Sequence, residues 1–211
     1  MPSRLRHEAT RSTVGASPAV RYEEFRLHPR LFQDQFDPTW LHEDFVKIHQ
    51  AFQKADEENK TSVMIPSVKE LHEEIDDVYS FNVFSQEFVN MFNEEIKNFY
   101  GVSAREDIPV QRPNGMNNYG VIVNEIGMRP LITSFQQEYL WPICRRLYPL
   151  QASQFDDHHA FIVRYRGDED LGLDMHIDDS DLTFNVCLGE DFTGATLTFC
   201  GMFGAPNHRQ Y

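Results

Sequence analysis

"LDMHIDDSDLTFNVCLG", residues 173–189, decides how the second half of the chain is read. "LDMHIDDS" (173–180) reads as a short strand and "LTFNVCLG" (182–189) as the next. Successive side chains on a strand point to opposite faces, so residues two apart share a face. His176 and Asp178 therefore point the same way, with Ile177 turned toward the core. Thr183 and Asn185 share a face of the following strand by the same rule.

An imidazole beside a carboxylate suits a divalent ion such as Fe(II). A facial triad needs a second imidazole as well, and leaves open positions for co-substrate and oxygen. Two residues cannot supply three ligands. H-x-D also occurs by chance, and a histidine held by a nearby carboxylate has the same spacing.

Working outward, "AFIVRY" (160–165) is a strand, "GDEDLG" (167–172) a loop, and "ATLTFCG" (195–201) a further strand after a turn at 192–194. Upstream the period changes. Leu41, Phe45, Ile48 and Phe52 recur at helical spacing within 37–59, with Thr39 placed to cap the start. Phe88, Phe92, Ile96 and Phe99 form a second stripe within 85–101, which Gly101 is expected to end. These aromatics read as core. Asn114-Gly115 is a turn and "YGVIVNE" (119–125) a strand. Ser134 and Gln137 look like a capping box for a helix over 134–149, kinked or restarted at Pro142 and stopped by Pro149. Helices first and short strands afterwards predict α+β, with a sheet or barrel in the second part. The domains read as a disordered N-terminus over 1–20, a mainly helical region over 21–110, and a third region over 111–211.

The chain has 211 residues and a formal net charge of -14, enough length for one domain with a sizeable core. Residues 1–60 carry 9 basic and 10 acidic residues, so the acidity belongs to the second part. No basic run exceeds Arg145-Arg146, which disfavours nucleic acid, and an acidic body disfavours an anionic membrane. No apolar run is long enough to span a bilayer. The first twenty residues lack the apolar segment of a secretory signal, so the expected location is cytoplasmic or nuclear. Cys144, Cys187 and Cys200 form no zinc or C-x-x-C pattern and read as plain buried thiols. His158-His159 is no metal pair, since adjacent strand residues face opposite ways.

The wider pattern H-x-D-x-S-x-x-T-x-N-V-x-L, from His176 to Leu188, is followed by F-T-G-A-x-L-x-F, from Phe192 to Phe199. Together they resemble the 2-oxoglutarate- and iron-dependent oxygenases of the prolyl and lysyl hydroxylase superfamily. The resemblance implies N-terminal helices supporting a double-stranded β-helix, or jelly-roll, so that 111–211 would be part of a dioxygenase domain. It implies Fe(II), 2-oxoglutarate as co-substrate and ascorbate (vitamin C) as a further cofactor. His176 and Asp178 match the first two iron ligands and would be the catalytic pair. Tyr165, Thr183 and Asn185 would lie toward 2-oxoglutarate. Tyr165 reads equally as a core tyrosine, and the Thr183 hydroxyl as incidental to a strand former.

The same resemblance calls for a second iron histidine some tens of residues further on, followed by a basic residue that anchors 2-oxoglutarate. Only 33 residues follow Asp178. His208 is the sole histidine among them, and neither it nor Arg209 matches those positions. The jelly-roll is therefore expected to be incomplete, like that of a truncated isoform, with open edges through which the chain could self-associate. Two functions follow. One is a dioxygenase that hydroxylates a protein or small-molecule substrate in its full-length form. The other is an inactive fragment acting only as a binding module. The substrate is unknown, with a protein or peptide as one candidate.

Overall fold

A chain with 17 phenylalanines has many rings to hide, and the helices hide them. The computed structural model describes residues 16–58, 65–154, 156–189, 193–194 and 196–200. Helix α1 (Pro18–Tyr22) leads through three single 3-10 turns, Glu23–Phe25, Pro29–Phe32 and Pro38–Trp40, into helix α2 (Glu43–Glu58). An antiparallel hairpin follows, β1 (His72–Ile75) with β2 (Val78–Ser80), and then the long helix α3 (Gln86–Glu106). Strand β3 (Gly120–Ile122) enters a run of helix that holds α4 (Arg129–Phe135) and α5 (Trp141–Leu147), each preceded by a π turn. Strand β4 (Phe161–Val163) returns antiparallel to β3, with Val121 opposite Ile162.

The stripes read from the sequence face inward. Phe45, Ile48 and Phe52 of α2 are buried, as are Phe88, Phe92, Ile96 and Phe99 of α3. Phe36 stands at the centre, its ring 5.0 Å from Phe135, 5.4 Å from Trp40, 5.6 Å from Phe88 and 5.7 Å from Tyr139. Edge-on and tilted pairs of this kind are favoured by the ring quadrupole.

Helix boundaries depend on the caps. The α3 start is closed by Ser85, whose Oγ accepts from the Phe88 N–H at 3.3 Å. Gly101 does not end the helix. Val102 and Ser103 beyond it are buried, which outweighs the roughly 1 kcal/mol that a mid-helix glycine costs. The end comes at Asp107, in the left-handed conformation with φ 52°. Thr39 caps no α-helix. It lies in the 3-10 turn, where its N–H and hydroxyl both donate to Asp37. Ser134 is likewise inside α4 and not at a helix start; its hydroxyl accepts from the Phe36 N–H and donates to Glu138. Pro142 sits in the first turn of α5, and Tyr148, just before Pro149, ends it.

The expected jelly-roll is corrected by this structure. Among the described residues there are two open two-stranded antiparallel sheets and no closed or curled sheet. The strands read at 173–180 and 182–189 do not pair with anything, and neither do residues 196–200. The two-residue alternation is present in the sequence, but a ladder needs a partner edge and none is supplied. Cys187 is exposed and not buried for the same reason. The disordered stretch expected over 1–20 falls mostly on residues 1–15, outside the described residues, and α1 begins at Pro18. No helix among the described residues is long and apolar enough to cross a membrane.

Candidate functional site

The approach to the H-x-D stretch is built with more hydrogen bonds than the stretch itself. After β4, Arg164 makes a two-pronged ion pair with Glu169, at 2.7 and 2.6 Å, and its guanidinium lies 4.9 Å from the centre of the Tyr100 ring on α3. The Glu169 hydrogen bond raises the Arg164 pKa further. Asp170 accepts from the Asn118 N–H at 2.6 Å, the Asn118 side chain at 3.0 Å and the Tyr119 N–H at 3.2 Å. These bonds, led by the Asn118 side chain, hold its carboxyl below the usual carboxylate range. The loop over 164–170 is thus tied to α3 and to the entry of β3.

His158 ties the other side of the ribbon. Its Nε2 lies 2.9 Å from the Thr133 hydroxyl on α4, and its carbonyl accepts from the Asn124 amide at 2.9 Å. Burial, and then the nearby Arg129 guanidinium, hold its pKa below the ordinary value. His159 turns away to the Pro113 carbonyl at 3.1 Å. The two histidines do diverge, as their adjacency in the sequence predicts.

His176 and Asp178 do come together. The ring Nε2 lies 3.0 Å from Asp178 Oδ1, and the ring Nδ1 lies 2.8 Å from the Asp174 carbonyl. Thr183 donates to Asp178 Oδ2 at 2.5 Å, and the Ser180 hydroxyl is 3.1 Å from that of Thr183. The group is a local knot of one loop, and its side chains are exposed at 35% for His176 and 44% for Asp178, too open to be the floor of a pocket. Tyr165 and Asn185 are exposed too, and neither adds a hydrogen bond to the knot among the described residues.

Fe(II), 2-oxoglutarate and ascorbate, expected from the resemblance, are corrected here. Among the described residues no group of three or more His, Cys, Asp and Glu side chains could hold a metal ion. The pair that is present spends its imidazole nitrogen and one carboxylate oxygen on each other. Two donors fall short of the three protein ligands of a facial triad. His208 lies outside the described residues. The described residues do not fit an intact Fe(II) site.

Comparison with known proteins places the weight elsewhere in the chain. The OGFOD2-like domain family matches residues 21–152, which is the helical body and not the H-x-D stretch. "2-oxoglutarate and iron-dependent oxygenase domain-containing protein 2" of Mus musculus is 42% identical over 131 residues, 61% of this chain and 36% of its own length. Its Homo sapiens counterpart is 41% identical over the same shares. "2-oxoglutarate and iron-dependent oxygenase domain-containing protein ICU11" of Arabidopsis thaliana is 30% identical over 94% of this chain and 46% of its own. The chain thus spans between about a third and a half of the length of these curated relatives. No solved structure matches it. These matches put the chain in the 2-oxoglutarate- and iron-dependent oxygenase superfamily, and it belongs to the OGFOD2-like family.

The clamp residues Arg164, Glu169, Asp170 and Asn118 were not legible as such in the sequence. "GDEDLG" signals only a polar loop, and what its carboxylates would meet was hidden in distant segments.

Proposed function

We propose that the chain is the scaffold part of a hydroxylating oxygenase, and that these 211 residues alone act as a binding module without turnover. The carrying observation is the family match over 21–152 beside a site that, among the described residues, stops at two donors. Hydroxylation of a protein or small-molecule substrate is the activity this scaffold serves. The split into a helical region over 21–110 and a region over 111–211 is part of the proposal. It is supported by the position of the β3–β4 ribbon, both strands of which lie beyond residue 110 with the α4–α5 run between them.

The test is succinate production. The purified chain, given Fe(II), 2-oxoglutarate and O2, should form no more succinate than a metal-free control. Turnover above that control and lost in D178A would overturn the module reading. Anaerobic Fe(II) titration should show weak binding, unchanged by H176A.

A further inference from the structure

Residues 182–188 keep the habit of a strand without a neighbour. Phe184 lies 6.1 Å from each of Phe81 and Phe135, centroid to centroid. Val186 and Leu188 pack against the core, and the Asn93 side chain on α3 donates to the Leu188 carbonyl at 2.6 Å. Thr183, Asn185 and Cys187 between them are exposed, and so is Phe184, at 39%. Val186 and Leu188 hold the segment to the helical body, with the Phe184 ring beside it. Among the described residues, the backbone N–H and C=O groups of 182–187 have no hydrogen-bond partner.

We infer that residues 182–188 are a docking strand for an extended, basic segment of a partner polypeptide. Val186, Leu188 and the Asn93 bond already hold the segment in place, so an incoming strand gains ladder hydrogen bonds without bearing the full cost of ordering both chains. Charge selects the occupant. Residues 171–189 hold Asp174, Asp178, Asp179 and Asp181 and no Lys or Arg. Only Asp178 of the four is engaged in an ion pair among the described residues, and that is with His176. Residues 182–188 carry no charge themselves, so the aspartate run just before them sorts the partner. A second copy of the chain brings the same four aspartates, and nucleic acid brings phosphates. A strand bearing Lys or Arg beside this run meets complementary charge, which steers encounter and rejects acidic competitors. Leu173, Met175 and Ile177, exposed among the aspartates, offer apolar contact to the partner's alternate side chains. Docking of this kind uses neither iron nor turnover and is independent of the oxygenase reading.

The experiment uses the whole chain and three short synthetic peptides. One alternates Val and Lys, one alternates Val and Glu, and the third is the Lys peptide with every second backbone nitrogen methylated. Binding is read by fluorescence anisotropy at two salt concentrations. The Lys peptide should bind at least about tenfold tighter than the Glu peptide and weaken with salt. N-methylation should abolish binding, because it removes ladder donors and leaves the charge in place. D179N/D181N should weaken the Lys peptide while the fold, read by circular dichroism, stays unchanged. Equal binding of Lys and Glu peptides, or of the methylated and plain Lys peptides, would overturn the proposal. Concentration-dependent dimerisation that protects the 182–188 amides would also overturn it, and would assign the edge to a second copy.

Discussion

Glu95 is fully buried on α3 and accepts from the Tyr22 hydroxyl, the His28 N–H at 2.6 Å and the Leu27 N–H at 3.3 Å. One carboxylate thus fastens the N-terminal strap to the long helix. E95A leaves those donors buried or half-buried without an acceptor and should cost roughly 2–4 kcal/mol of unfolding free energy. Urea denaturation measures it, and E95Q should recover part of the loss. His158 gives a pH dependence. Its folded pKa lies below the ordinary 6.5, chiefly through burial, with Arg129 and His159 lowering it and Asp157 opposing them. The unfolded chain therefore binds a proton that the folded one refuses. Stability from this group is present above about pH 6.5 and is lost as pH falls toward the folded value. The urea midpoint should drop between about pH 7.5 and pH 5.5, and less so in H158N. Equal slopes in the two proteins would show that His158 is not the source. His49 is displaced in the same direction by burial and adds to the slope that remains.

Among the elements, the run from α4 into α5 shows how a proline is accommodated. Pro142 has no N–H for the carbonyl one turn back, that of Glu138. The His49 ring of α2 takes that acceptor at 3.1 Å. His49→Phe keeps a ring and removes the donor, and should cost about 1 kcal/mol. In a P142A background, where the helix regains its own N–H, the same change should cost less. A double-mutant cycle reads the difference. The β3–β4 ribbon depends on Gly120, at φ +153°, where a Cβ would meet the Ile162 carbonyl oxygen at 2.0 Å. G120A should destabilise the protein by roughly 2–4 kcal/mol, seen as a lower thermal midpoint. Phe88, Phe92, Ile96 and Phe99 were readable because a helix buries its own period, whatever it packs against. The strands over 173–189 were not, because a strand is completed only by a partner, and alternation alone says nothing of whether one arrives. His176 and Asp178 meet within a loop and not on a strand face. Their engagement with each other, and the absence of a third donor beside them among the described residues, are tertiary facts that a spacing of two cannot carry.

For the whole molecule, burial is unevenly distributed. The helical body holds the aromatic core, while residues 171–181 are exposed almost throughout. Brief digestion with chymotrypsin should cut first near Leu171, Leu173 and Met175 and leave a product that retains the helical circular dichroism signal. Early cleavage within α2 or α3 would contradict this division. The strap that Glu95 holds also has a history within each molecule. Tyr22 and its acceptor are separated by 73 residues. On the ribosome the strap is made first and its anchor much later, so closure must wait until α3 has left the exit tunnel. Through that interval Tyr22, Leu31, Phe36 and Trp40 have no finished core to enter, and a nascent chain carrying such residues is a natural client for chaperones.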